Sequence, residues 1–174
     1  MPRPPPTQRP AQKTAKTAAK TAAKRATAAA TNSLDFCLRL TRAHATLTRR
    51  LDNALSGLHG LSFGDFMILY HLERAPGGRL RRIDLAERLG LTASGATRSL
   101  LPLEKIGLVE RQADPRDARV GYACITAAGL QLLAYAMVSV VPISEEATQA
   151  VSAEQLDAFS ALLGQLAGIH LANL

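Results

Sequence analysis

The side chains best equipped to grip another molecule lie between positions 81 and 119 of the 174-residue chain. Arg81, Arg82 and Arg88 precede a run of small and hydroxylated residues, Thr92, Ser94, Gly95, Ala96 and Thr97, that ends on Arg98. Further on, DPRDAR (114–119) puts two acids and two arginines, Arg116 and Arg119, into six residues. A guanidinium presents a fixed fork of N–H donors to phosphates and guanine edges, and hydroxyls serve either partner. Such a set suits recognition of a regular polyanion rather than the making and breaking of bonds. An enzyme finds little support: the four histidines are scattered, and no Cys or His cluster has metal-ligand spacing. No Gly-rich loop cradles phosphate, and no cofactor is implied.

The charge distribution agrees. The net charge is +7, and residues 1–33 alone carry +7, with seven basic groups and no acid. Residues 79–119 hold nine basic and six acidic groups, whereas 120–174 hold four acids and no Lys or Arg. Beyond the N-terminus the chain is therefore neutral overall but polarised, with its positive segment around the arginines just named. Hydrophobic residues make up 47% and aromatics only 4%, so the core must be built from aliphatic side chains. Two cysteines, Cys37 and Cys124, are too few for a disulfide framework and fit a reducing compartment. No run reaches the ~18 apolar residues that suggest a membrane span. A soluble, cytoplasmic protein without membrane contact is expected.

Stepping along the chain, residues 1–33 form a basic Ala/Lys/Thr-rich tail in which almost nothing can be buried, so disorder is predicted when it is free. Alanine is the best helix former, however, and Lys13, Lys16, Lys20 and Lys24 fall at helical spacing. From Leu34, the residues Cys37, Leu40, His44, Leu47, Leu51 and Leu55 keep the 3–4 spacing of one helix face, ending near residues 56–60. A second helix is predicted over FGDFMILYHLER with Ser62 as its cap. A third follows over RIDLAERLG, closed by Gly90. The fourth is ASGATRSLLPLEKIG, capped by Thr92 or Ser94 and interrupted by Pro102. LVERQ and RVGYACIT then read as an antiparallel hairpin. Thr126 starts a long helix with a kink expected at Pro142, and Ser152 with Gln155 makes a capping box for the last one. The last helix is apolar on most sides, around Leu156, Phe159, Leu163 and Leu166, and calls for a second subunit as cover.

Two short helices joined at Gly90-Leu91 form a helix-turn-helix pattern, and a hairpin with an arginine-bearing tip makes it a winged helix. A helix fits the major groove of duplex DNA, and the small residues at its start permit close approach. Thr92, Ser94, Thr97 and Arg98 are the candidates there. Arg116 and Arg119 suit the narrow, electronegative minor groove, braced by Asp114 or Asp117. Arg81, Arg82 and Arg88 read as phosphate anchors.

Over GLSFGDFMILYHL (60–72), RIDLAERLGLTASGATRSLLPLEKIGLVER (82–111) and DPRDARVGYACITAAG (114–129), the chain resembles the multiple-antibiotic-resistance regulator (MarR) family. The last stretch is the most specific: Asp117, Arg119, Thr126 and Gly129 stand at the family's wing positions, with Ile125 for a leucine. The resemblance implies a mainly helical fold with a small β-hairpin wing. The winged helix-turn-helix would occupy 61–126, within a domain of 34–174. The helices of 34–60 and 127–174 would interleave in a homodimer. It implies binding to a palindromic double-stranded operator, usually as a repressor relieved by a small molecule. The family's effector pocket lies between the dimerisation helices and the DNA-binding lobe, which makes His44, Met67, Tyr70 and His71 candidates for an anionic aromatic or phenolic ligand. A core histidine is the competing reading of His44. Cys37 falls where the hydroperoxide-sensing branch keeps its reactive cysteine, but Phe63 stands where that branch has a tyrosine hydroxyl, so packing is favoured over redox sensing. An architectural, weakly specific DNA-binding protein driven by the basic tail is the alternative function.

Overall fold

The structure, a computed structural model, describes residues 11–114 and 121–168. They form six helices, α1 (Ala11–His59), α2 (Phe63–Glu73), α3 (Arg82–Arg88), α4 (Ala93–Lys105), α5 (Ala127–Thr148) and α6 (Ala153–Leu166). Three short strands accompany them, β1 (Arg79–Arg81), β2 (Val109–Ala113) and β3 (Gly121–Ile125). The chain divides after Thr46 into two compact units.

The first unit contributes the greater part of α1. The helix begins at Ala11, so its backbone takes in residues 11–33 ahead of the apolar face that starts at Leu34. No glycine or proline interrupts the chain between positions 11 and 56, and alanine carries the lowest intrinsic cost in a helix. Backbone hydrogen bonds then close within the segment itself, so no core is needed to satisfy them. Leu34, Phe36, Cys37 and Leu38 are exposed, and Asp35 accepts from Arg39 Nε at 2.7 Å, one turn on.

The second unit holds the core. Leu51 and Leu55, in the last turns of α1, pack with Leu61, Phe66, Leu69, Leu72, Leu85, Leu100, Leu103 and Val109. The first two follow from the apolar face read along helix one; Leu61 precedes α2, Val109 opens β2, and the others are the inward positions of short helices. Ser62 caps α2 in a reciprocal box with Asp65, and Phe63 N–H donates to Asp52 Oδ1 at 2.5 Å, fixing the α1–α2 corner. His59 and Ser139 meet at 2.8 Å, and Arg50 donates to Glu146 at 2.5 Å, tying the end of α1 to α5. Gly90 and Gly107 close α3 and α4 at positive φ, +63° and +76°, where a β-carbon would be strained.

The sheet has three strands, not two, in the order β1-β3-β2 and antiparallel throughout. β1 pairs Leu80 with Ala123 and Arg81 with Tyr122. Its three residues are too few to show a periodicity of their own. Helix α5 runs through Pro142 to Thr148, and on length and composition alone it could cross a membrane. Its buried residues are Gly129, Leu133, Ala136 and Val140, while Tyr135, Val138 and Val141 lie outward. Ser152 and Gln155 form the expected capping box of α6.

Candidate nucleic-acid interface

Helix α4 exists because its inner residues, Ala96, Leu100 and Leu103, are buried at helical spacing. The opposite side carries Ser94, Arg98 and Leu101 exposed, with Thr97 half-buried. Thr92 is the N-cap, its hydroxyl accepting from Gly95 N–H at 3.1 Å and lying 3.2 Å from Ser94 Oγ. Thr97 Oγ donates back to the Ala93 carbonyl at 3.0 Å. Thr92 and Thr97 therefore spend a hydrogen bond on the helix itself. Arg98 has neither an ion pair nor a hydrogen bond among the described residues. No acidic side chain stands in the first turn, so the positive end of the helix dipole is not neutralised locally.

The neighbouring arginines divide by role. Arg81 is exposed and held bidentate by Asp84, at 2.7 and 2.8 Å, a pairing that raises its pKa further and keeps it cationic. Arg82 pairs with Glu104 on α4, their side chains only 18% and 21% exposed, and its Nε is buried without a partner. It braces α3 against α4 and sits under the base of the wing, where a β-carbon on Gly121 would lie 3.7 Å from its Cδ. Arg88 is half-buried. Arg79, which the sequence reading passed over, donates to Gln112 at 2.7 Å with its guanidinium 5.0 Å from the Tyr122 ring centre. Arg79 and Arg81 flank buried Leu80 and so share a face of β1, which only the pairing of this short strand with β3 reveals. Tyr122 in turn donates to Asp114 at 3.3 Å. Arg116 and Arg119, the wing-tip candidates, lie outside the described residues.

The return from wing to α5 explains the Thr-x-x-Gly pattern. Thr126 N–H donates to the Leu108 carbonyl at 3.1 Å and its hydroxyl donates to Gly107 O at 2.7 Å, while Gly129 N–H donates to that hydroxyl. The end of α4 is thereby laced to the start of α5.

Of the ligand candidates, Tyr70 alone borders the cleft of about 250 Å³ between α2 and α5, with Glu73, Arg74, Leu130, Leu133, Ala134 and Met137. The Arg74 guanidinium lies 4.3 Å from the Tyr70 ring centre. Met67 packs against the core. His71 is 2% exposed, and neither ring nitrogen finds a hydrogen-bond partner. Burial, aided by Arg88 and Arg74, holds its pKa below the usual 6.5, so the ring is neutral. His44 is exposed and belongs to the first unit. Cys124 is buried, and burial with nearby Glu110 pushes its thiol pKa up, leaving it unreactive near neutrality.

Residues 59–120 match the MarR family. No curated protein matches the chain in sequence. Among solved structures, the chain is similar to Sco3205, a MarR family transcriptional regulator from Streptomyces coelicolor determined in complex with DNA. That likeness has a TM-score of 0.71 and 26% identity, over 76% of this chain and 86% of that one. The transcriptional regulator BldR from Sulfolobus solfataricus gives a TM-score of 0.69 at 26% identity, over 77% and 96%. AbsC, another MarR family regulator from Streptomyces coelicolor, gives 0.68 at 25%, over 76% and 90%. The wing motif, the laced α4–α5 junction and these likenesses converge on a winged helix-turn-helix fold similar to that of MarR family transcriptional regulators, with residues 59–120 as the part that matches the family itself.

Proposed function

We propose that this protein is a cytoplasmic, homodimeric repressor that binds a palindromic duplex operator sequence-specifically and releases it on binding a small aromatic effector. The observation that carries the reading is the outer side of α4. Ser94 and exposed Arg98 sit where a helix laid in a major groove meets base edges, and Arg98 has no partner among the described residues. Arg81, Thr92 and Thr97 flank them, and Arg116 and Arg119 are assigned to the minor groove. The crystallised complex of the similar regulator Sco3205 with DNA supports the same partner. Arg82 serves DNA indirectly, as the brace of α3 on α4. Exposed apolar residues on α5 and α6, among them Val138, Phe159, Leu163 and Leu166, supply the dimer contact.

The effector site is the cleft beside Tyr70. An aromatic acid would lay its ring against Tyr70 and Met137 and give its carboxylate to Arg74, a residue absent from the sequence candidates. Selection of bound sequences from a random duplex pool, with and without phenolic acids, tests both parts. A recovered palindrome whose binding weakens with a phenolic acid supports the reading; a pool with no enriched sequence overturns it.

A further inference from the structure

We infer that the helical segment 11–33 is a second, sequence-independent DNA-binding element whose ligand is the phosphate array of a duplex. The inference rests on the DNA-binding reading of α4, and its test separates the two. The segment lies within α1, whose backbone is helical from Ala11 onward. With ~100° per residue, Lys13, Lys16, Lys20 and Lys24 fall within one arc of about 80° on that helix. By the same spacing alanines 15, 18, 22, 26 and 29 fall on the opposite side.

Such a stripe works against the helix that carries it. Like charges three and four residues apart repel, and cations near a helix N-terminus oppose the dipole. The first acid on α1 is Asp35, which pairs with Arg39, so nothing within residues 11–33 compensates. A polyanion removes each of these penalties at once, and the ordering of the helix and the binding of the anion then reinforce each other.

The chemistry of the segment selects nucleic acid among polyanionic partners. A membrane-surface helix needs large apolar residues on its far side, and between positions 11 and 33 there is no Leu, Ile, Val, Phe, Met or Tyr. Four of the five basic residues here are lysines, point charges that bind phosphate without the fixed geometry of an arginine fork, which suits contact that does not depend on sequence. From Lys13 to Lys24 the helix rises ~16 Å at ~1.5 Å per residue, enough to meet several successive phosphates.

The test compares the full chain with a variant carrying Lys13→Ala, Lys16→Ala, Lys20→Ala and Lys24→Ala, which keeps helix propensity, and with the four Lys→Arg changes. Affinity for a selected operator and for random duplex is measured against potassium chloride concentration. Four phosphate contacts at ~0.9 each predict that the Ala variant's salt slope is shallower by about 3.6 on both duplexes. Between 50 and 200 mM salt the wild type then loses roughly 150-fold more affinity than the variant. The Arg variant keeps the wild-type slope, and the operator-to-random ratio is unchanged in all three. Equal slopes for wild type and Ala variant overturn the inference, as does tighter wild-type binding to phosphatidylserine vesicles than to random duplex. A slope difference with no enriched operator leaves the lysine helix standing and removes the repressor reading instead.

Discussion

Arg82, the first residue of α3, pairs with Glu104 near the end of α4, and both side chains are largely withdrawn from solvent. The pair spans the two helices of the helix-turn-helix, so it sets the angle at which α4 is presented. Glu104→Ala leaves a half-buried guanidinium without its counter-ion. Its expected cost is about 1–3 kcal/mol, between exposed pairs and fully buried ones. Urea unfolding reads the loss, and operator affinity should fall with it although Glu104 touches no DNA.

Gly129 has no room for a side chain. A β-carbon there would lie 2.2 Å from the Leu108 carbonyl oxygen and 2.8 Å from Ile125 Cγ1, and the nearer contact is backbone that cannot swing aside. Gly129→Ala is expected to destabilise the domain by about 1–3 kcal/mol or more through forced separation of the wing from α5. Thermal unfolding checks this; an unchanged Tm would show that the junction is loose.

His71 makes stability fall on the acid side. Its folded-state pKa lies below the usual 6.5 because burial, with Arg88 and Arg74 nearby, disfavours the charged ring. A depressed value leaves its contribution intact above pH 6.5 and removes it as pH drops through the folded-state value. Urea midpoints of wild type and His71→Leu, compared at pH 7.5 and 5.5, should show the wild type losing more between the two. Parallel losses would mean that the ring is not the titrating group.

Arg98 is the base-reading candidate with no intramolecular partner among the described residues. Arg98→Ala should weaken operator binding about 5- to 150-fold, or about 1–3 kcal/mol, and relax preference at one base pair in each half-site. Equal weakening on operator and random duplex would assign it to phosphate instead. Circular dichroism guards against a folding defect.

Phe159 is 54% and Leu163 44% exposed on α6, an arrangement that a second copy would cover. Phe159→Glu combined with Leu163→Glu should shift the protein from dimer to monomer in sedimentation at micromolar concentration and abolish binding to the paired half-sites. A variant that stays dimeric would place the contact elsewhere.

Local chemistry made much of this molecule readable from its residues. Caps at Ser62, Thr92, Thr126 and Ser152 and glycine stops at Gly90 and Gly107 depend only on neighbours a few positions away. So does the apolar face that brings Leu51 and Leu55 into the core. They are therefore written in the chain order itself. The motif from Asp114 to Gly129 carried the family resemblance, because a laced junction at Thr126 and Gly129 tolerates few residue types. Long-range facts were beyond it. That β1 joins the sheet through Leu80 and Ala123 depends on a partner more than forty residues away. Only packing showed that Arg82 is spent on Glu104 while Arg98 makes no such pair, since both read alike as arginines on short helices. The cleft likewise belongs to tertiary structure: Arg74 and Met137 meet across two helices, whereas Met67 and His71, equally plausible by type, turn inward. Periodicity tells which side of a helix is apolar; which charged group faces which neighbour is settled by where the helices cross.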